Sequence, residues 1–266
     1  MRRYALLGGR VEGSLSPAIH EQIWQQLGAE ATYELWSVRV DAFEAALERA
    51  RHELAGFNLT APFKVQVLTH LDDATARAQQ LSSVNTVRVE QGALIGHNTD
   101  LDGVAMTLDR LPCAAGAAMI LGAGGVVPSV VHELVRREFG PLWVACRNAA
   151  AARRRLAPWG DHLEVIPYAH AAEYLEGCQL VINATPLGAG ASDALPIASE
   201  QVDGLVHWDL VYRREATTPW VAHALQRGQF AVDGRLMLAR QAVEAQRFWG
   251  YPVEDAAAVY RRWCGE

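Results

Sequence analysis

The run Ile120-Leu121-Gly122-Ala123-Gly124-Gly125 passes from an apolar strand into glycines, then into Val126-Val127-Pro128-Ser129 and a helical pattern. Such a turn leaves backbone N–H groups bare at a helix N-terminus, where a pyrophosphate meets both the amides and the positive end of the helix dipole. The third fingerprint position is Val127 rather than Gly or Ala, which sets helix and strand slightly further apart. One strand later, Trp143-Val144-Ala145-Cys146-Arg147-Asn148 ends on Arg147 with no carboxylate nearby. An acid there would hold a ribose 2′-hydroxyl, whereas a guanidinium offers bidentate, charge-assisted donors to a 2′-phosphate. The residues therefore point to NADP over NAD. Arg153-Arg154-Arg155 reads as a solvated helix face, with a second phosphate contact as its one other use.

Four stretches of the first hundred residues carry polar groups that neither a core nor a plain turn requires. They are Ser14-Leu15-Ser16-Pro17-Ala18-Ile19-His20, Asn58-Leu59-Thr60-Ala61-Pro62-Phe63-Lys64, Ser83-Val84-Asn85-Thr86 and Gly96-His97-Asn98-Thr99-Asp100. Each falls at the end of an expected strand or turn, so the elements between them must carry them into place. Residues 3–9 read as a strand. Ser16-Pro17 then supplies a hydroxyl N-cap and a Pro at the first helical position, and Ile19, Ile23, Trp24 and Leu27 share a helical face that ends at Gly28. A second strand over 32–40, a helix capped by Asp41 with Phe43, Ala46, Leu47 and Ala50 inward, and a third strand over 56–60 follow. Residues 83–90 and 93–98 around Gln91-Gly92 read as a hairpin. From Ala117 the pattern restarts, with strands expected over 142–147, 163–168, 180–184 and 205–211. Helical stretches between them imply parallel pairing with right-handed crossovers. Helical patterns over 236–249 and 254–263 close the chain.

In this order the stretches resemble the marks of the shikimate dehydrogenase family: SxSPxxH, NVTxPxK, VNT, GxNTD, a GAGG turn, INAT and a terminal GxxMLxxQ. The later pieces stand here as Ile182-Asn183-Ala184-Thr185, Asp209-Leu210-Val211-Tyr212 and Gly234-Arg235-Leu236-Met237-Leu238-Ala239-Arg240-Gln241. The resemblance runs from about Tyr4 to Gly250. It implies a two-domain α/β fold, an N-terminal α/β substrate domain plus a Rossmann-like NADP-binding domain with a parallel sheet. Residues 1–103 with 234–266 would form the first and 104–233 the second. It also implies NADP(H)-dependent reduction of 3-dehydroshikimate to shikimate, on the route to aromatic amino acid precursors. Reducing a ring ketone requires hydride at carbon and a proton for the developing alkoxide, and the reverse reaction requires a base for the hydroxyl. By motif match Lys64 is the proton donor and acceptor, and Asp100 is its partner and an acceptor for a ring hydroxyl. Ser14, Ser16 and Tyr212 would hold the substrate carboxylate, while Thr60, Asn85 and Gln241 would contact the carboxylate or the hydroxyls. Gly122, Ala123, Gly124, Gly125, Val126, Arg147, Thr185, Leu210 and Gly234 would bind the cofactor. His20 reads as a packed core residue. His97 should point away from its site-facing neighbours and receives no role.

Three departures from the family pattern stand out. Leu101-Asp102-Gly103 follows Asp100, where a Gly or an aromatic often comes next. Val126-Val127-Pro128 replaces small residues after the glycine turn, and Cys146-Arg147-Asn148 replaces Asn-Arg-Thr. None removes a group that the mechanism needs. Two competing readings remain: a quinate or quinate/shikimate dehydrogenase using NAD, and a non-catalytic binding or regulatory module that keeps the fold. Arg147 speaks against the first and the presence of both Lys64 and Asp100 against the second.

Composition narrows the partners. The 266 residues are half apolar, and 24 Lys plus Arg against 30 Asp plus Glu leave a net charge of −6, which argues against a disordered chain and a polyanion-binding surface. The longest apolar stretch, 117–131, is too short and too Gly-rich to span a bilayer. The expected partner is a small molecule rather than nucleic acid or membrane, and a monomer and a homodimer are both allowed. Cys113, Cys146, Cys178 and Cys264 form no CxxC pair or metal-ligand spacing, so they read as reduced thiols of a cytoplasmic protein that holds no metal. Trp24, Trp143, Trp208 and Trp249 read as core.

Overall fold

Tyr4-Ala5-Leu6-Leu7 form a continuous apolar run because β1 (Arg2–Gly8) is covered on both faces. The computed structural model describes residues 1–189, 197, 199–214, 216–254 and 257–264. They separate into two compact units, Met1–Gly103 with Leu236–Glu266, and Val104–Arg235.

In the first unit β1 pairs in parallel with β2 (Ala31–Ser37) and β3 (Gly56–Leu59). The sheet continues through β4 (Asp73–Ala74), β5 (Thr86–Glu90) and β6 (Ala93–His97) in the order β2-β1-β3-β5-β6-β4. β3, β5 and β6 run antiparallel, so the sheet is mixed. The β5–β6 hairpin turns on Gln91 (φ 51°) and Gly92 (φ 83°), the paired positive φ angles that suit the right-handed twist of the strands.

The helices correct two expected caps. α1 (Ser16–Leu27) starts one residue earlier than a Ser16 cap would allow: Leu15 is the N-cap, and the Ser14 Oγ accepts the Ser16 N–H at 3.1 Å. Ser14 thus serves the helix start, and Ser16 lies inside the first turn. α2 (Phe43–Glu53) has no side-chain cap, because Asp41 lies in a 3₁₀ turn (Val40–Ala42) and its carboxylate is taken by the Arg39 guanidinium at 2.6 Å. α3 (Phe63–Gln66), α4 (Ala76–Leu81) and α5 (Asp100–Leu108) complete the N-terminal part. One core cluster holds Phe43, Leu47, Phe57 and Phe63; a second gathers Tyr4, Trp24, Tyr33 and Trp249.

The second unit is an all-parallel sheet of β7 (Ala117–Leu121), β8 (Leu142–Cys146), β9 (Leu163–Pro167), β10 (Cys178–Asn183), β11 (Val206–Asp209) and β12 (Ala231–Val232). Its order is β9-β8-β7-β10-β11-β12. Counted within the unit this is 3-2-1-4-5-6, the doubly wound dinucleotide-binding order, whose switch point lies between β7 and β10. α6 (Val127–Arg136), α7 (Ala149–Leu156) and α8 (Pro219–Gln226) belong to it, and α9 (Arg235–Phe248) and α10 (Ala257–Cys264) follow. Trp143 is a correction: it is only partly buried, against Tyr174 with ring centroids 4.7 Å apart, while Trp24, Trp208 and Trp249 are core.

Candidate active site

Lys64 is placed by its neighbour. Phe63 is fully buried and stacks on Phe43 with ring centroids 4.2 Å apart, which fixes the first turn of α3, while the Lys64 carbonyl accepts the Val84 N–H at 2.8 Å. Asp100 opens α5, and Asn98 shapes that opening: its Oδ1 accepts the Leu101 N–H at 3.2 Å and its amide donates to the Ser83 carbonyl at 2.9 Å. Lys64 Nζ then donates to Asp100 Oδ2 at 2.7 Å, with side chains 16% and 4% exposed. Such a charge-assisted contact, shielded from water, holds both groups in one geometry. Of the 24 Lys plus Arg residues only Lys64 is a lysine. An arginine could make the same ion pair but could not release a proton near neutral pH.

A net of neutral groups surrounds the pair. The Asn85 amide donates to Asp100 Oδ1 and Thr99 Oγ1, both at 2.9 Å, and to Gln241 Oε1 at 3.2 Å. The Asn85 side-chain oxygen, Oδ1, accepts the Thr99 N–H at 2.8 Å and the Thr86 hydroxyl at 3.1 Å. Behind it, Asn58 donates to Thr86 Oγ1 at 2.9 Å and accepts the Tyr33 hydroxyl at 2.7 Å. Ser14 and Ser16 are buried and linked through their hydroxyls at 3.1 Å; Thr60 is half-buried at the end of β3. Asp102, the unexpected acid after Asp100, is taken up by the Arg77 guanidinium. His20 is fully buried, stacked on Tyr33 at 4.5 Å and accepting from the Gln246 amide at 2.8 Å, and burial pulls its pKa down to about 3. His97 pairs with Thr75 Oγ1 at 2.9 Å and stacks on Phe248.

In the second unit the glycine turn follows β7 at the switch point. Gly122 has φ 110°, and a Cβ there would come within 2.9 Å of the Ala184 carbonyl oxygen, so β7 and the end of β10 approach closely only with glycine. A cavity of about 570 Å³ opens beside it. Of the expected cofactor residues, Gly122, Ala123, Gly124, Arg147 and Thr185 line it. Gly125, Val126, Leu210 and Gly234 are not among its lining. Gly234 has its own reason to be glycine, since a Cβ would stand 2.2 Å from the Leu210 carbonyl oxygen. Among the described residues no carboxylate lines the cavity, while two guanidiniums do, Arg147 and Arg155. Arg155 also donates to the Ala123 carbonyl at 2.5 Å, tying α7 to the glycine turn. A glycine cradle with paired cations and no acid suits a dinucleotide carrying an extra phosphate.

A model of the shikimate dehydrogenase substrate-binding domain matches residues 6–87. Over 98% of its length the chain is 36% identical to the NADP(+)-dependent shikimate dehydrogenase of Rubrobacter xylanophilus, covering 95% of that protein. The chain belongs to the shikimate dehydrogenase family. A shikimate dehydrogenase (NADP(+)) of Thermus thermophilus is 37% identical over 97% of this chain and 96% of its own. A crystal structure of the shikimate 5-dehydrogenase from another strain of Thermus thermophilus, in complex with NADP(H) and shikimate, superposes with a TM-score of 0.82 at 33% identity, covering 98% of this chain and 99% of that one.

Against the shikimate dehydrogenase motifs, the structure brings Lys64, Asp100, Asn85 and Gln241 into one hydrogen-bonded group. Tyr212 follows β11 in the second unit and is half-buried. Tyr33 and Asn58, which lie behind Asn85, have no role in the sequence reading, whereas Arg155, read there as part of a solvated helix face with a second phosphate contact as its one other use, lines the cavity. The available signal for Arg155 was its spacing: eight residues beyond Arg147, it lies about two helical turns along α7.

Proposed function

We propose that this family member catalyses the reversible NADP(H)-dependent reduction of 3-dehydroshikimate to shikimate. The observation that carries the reading is the Lys64–Asp100 pair at 2.7 Å, nearly buried and ringed by neutral hydrogen-bonding side chains. When bound, the cofactor supplies the hydride. Lys64 gives the ammonium proton to the ketone oxygen as negative charge develops on it, is left as the amine, and recovers a proton from solvent. In the reverse direction the amine takes the proton of the hydroxyl. Asp100 holds the ammonium in place with one oxygen, and the other is fixed by the Asn85 amide. The carboxylate therefore keeps one orientation and presents its remaining lone pairs to a ring hydroxyl. Ser14 and Ser16 offer two short hydroxyls to the substrate carboxylate, and Thr60, Asn85 and Gln241 add neutral partners, which suits a small polyhydroxylated acid.

Gly122, Ala123, Gly124, Arg147 and Thr185 would hold the cofactor, with Arg147 and Arg155 facing the 2′-phosphate. The roles of Tyr212, Gly125, Val126, Leu210 and Gly234 rest on their motif positions. Among the described residues no helix is long and apolar enough to cross a membrane. Cys113, Cys146 and Cys178 are free thiols, which supports a cytoplasmic setting; the Cys264 side chain lies outside the described residues. The monomeric or homodimeric state is to be read by light scattering. The test of function is NADPH oxidation followed by absorbance, with 3-dehydroshikimate set against 3-dehydroquinate and NADPH against NADH. The expected preference in kcat/KM is for NADPH with 3-dehydroshikimate. A preference for the NAD cofactor and the quinate pair would overturn the reading.

A further inference from the structure

We infer that Asp209 is a positioning residue of the cofactor site, acting through Asn183 on the segment that lines the cavity. The inference rests on the reading of that cavity as the NADP(H) site and goes beyond it, because Asp209 itself does not line the cavity.

β10 and β11 end side by side, with Asn183 opposite Asp209 in register. Asp209 is fully buried. Its Oδ1 accepts the Asn183 amide at 2.9 Å and the Val211 N–H at 3.0 Å, and its Oδ2 accepts the Thr218 hydroxyl at 2.7 Å. Among the described residues no cation pairs with it. Burial pushes its carboxyl up to about 6, so the fold places an acid where water and counter-charge are both lacking. A core position has no use for such a group. Three converging donors do, since an amide NH₂ and a backbone N–H cannot accept and Oδ1 must therefore be an acceptor.

The consequence lies on the other end of Asn183. Its NH₂ is committed to Asp209 and to the Leu187 carbonyl at 3.0 Å, which turns its oxygen the opposite way. That oxygen accepts both the Thr185 N–H at 3.1 Å and the Thr185 hydroxyl at 2.6 Å, and Thr185 Oγ1 in turn accepts the Leu187 N–H at 3.2 Å. Ala184, Thr185, Pro186 and Leu187 all line the cavity. Were Asn183 to flip, its NH₂ would face the Thr185 N–H, donor against donor, and the segment would lose its shape. The Asp209 carboxylate excludes that flip.

Fluorescence titration of NADPH onto the full-length protein tests this. Asp209→Ala should weaken NADPH binding by about tenfold or more, the equivalent of losing one hydrogen bond to a charged group. Asp209→Asn should restore it, because its carbonyl can serve Asn183 and Val211 while its amide donates to Thr218. Asn183→Ala cuts the link but leaves Asp209 its other two donors, and should show the same loss; it carries the test should Asp209→Ala not fold. KM for 3-dehydroshikimate at saturating NADPH should stay near the wild-type value. A residue with only a structural role would lower the unfolding midpoint and leave the NADPH affinity alone. Asp209→Ala and Asn183→Ala proteins that bind NADPH as tightly as wild type overturn the inference. A wild-type protein that fails to bind NADPH instead overturns the proposed function on which it stands.

Discussion

Asp100→Asn is the most informative single change, because the substitution keeps size and removes one acceptor. Asp100 sits between two donors, Lys64 Nζ at 2.7 Å on Oδ2 and the Asn85 amide at 2.9 Å on Oδ1, with its side chain 4% exposed. An asparagine has one oxygen for the two of them, so its NH₂ must face either the ammonium or another NH₂. Asn85 retains Thr99 and Gln241 as acceptors, so the new oxygen should turn to Lys64 and the mismatch should fall on the Asn85 side. Losing one hydrogen bond to a charged group at a buried site costs about 1.5–3 kcal/mol of folding stability. The rate should suffer more. With Lys64 no longer held by a full charge, kcat should drop by roughly 10²–10⁴-fold, equivalent to about 2.7–5.4 kcal/mol of barrier. Steady-state NADPH consumption reads the rate and urea unfolding reads the stability. A variant within a factor of about three of wild-type kcat would refute the dyad, and an unchanged urea midpoint would refute the two-donor account of Asp100.

Further outcomes follow from the cofactor cavity and from the buried histidine. Arg147→Ala should raise KM for NADPH by about 10- to 100-fold, as expected for a lost charge-assisted phosphate contact, with little effect on NADH. Equal effects on the two cofactors would remove Arg147 from the 2′-phosphate. His20 is held near pKa 3, below the ordinary 6.5, so the unfolded chain takes up a proton that the folded one refuses. Its contribution is present in full above about pH 6.5 and is lost as pH falls towards 3, on the order of 2 kcal/mol by pH 5. Asp209, raised to about 6, opposes it by adding stability as pH falls through that value. Urea midpoints measured at pH 7 and pH 5 should therefore differ less in His20→Gln than in wild type; an identical acid loss in the two proteins would contradict the assignment.

Much of this was legible in the chain, for physical reasons. The strands of the second unit are parallel and covered on both faces, so they stand out as apolar runs such as 118–121, and the glycine turn follows directly from the first of them. Lys64, Asp100 and Asn85 were legible as polar groups at strand ends. The groups behind them were not: Tyr33 reaches Asn58 only because β2, β1 and β3 lie side by side, and Asn58 reaches Thr86 only through the β3–β5 pairing. Local capping chemistry also misled where a nearer partner competes. Arg39 takes the Asp41 carboxylate, and Ser14 takes the Ser16 amide. A row of three arginines cannot say which one turns inward, since that depends on the phase of α7 against the glycine turn. Asp209 stands out in the chain only as part of a motif, because its partners come from the neighbouring strand and from a loop nine residues on.

The central claim is that Lys64 moves the proton, and Lys64→Arg tests it most directly. Arginine keeps the positive charge and a carboxylate-matching donor for Asp100, yet it remains protonated at neutral pH. Measured with NADPH and 3-dehydroshikimate, kcat should fall by at least about 10²-fold while shikimate binding is retained. A Lys64→Arg protein that turns over at the wild-type rate would contradict the account.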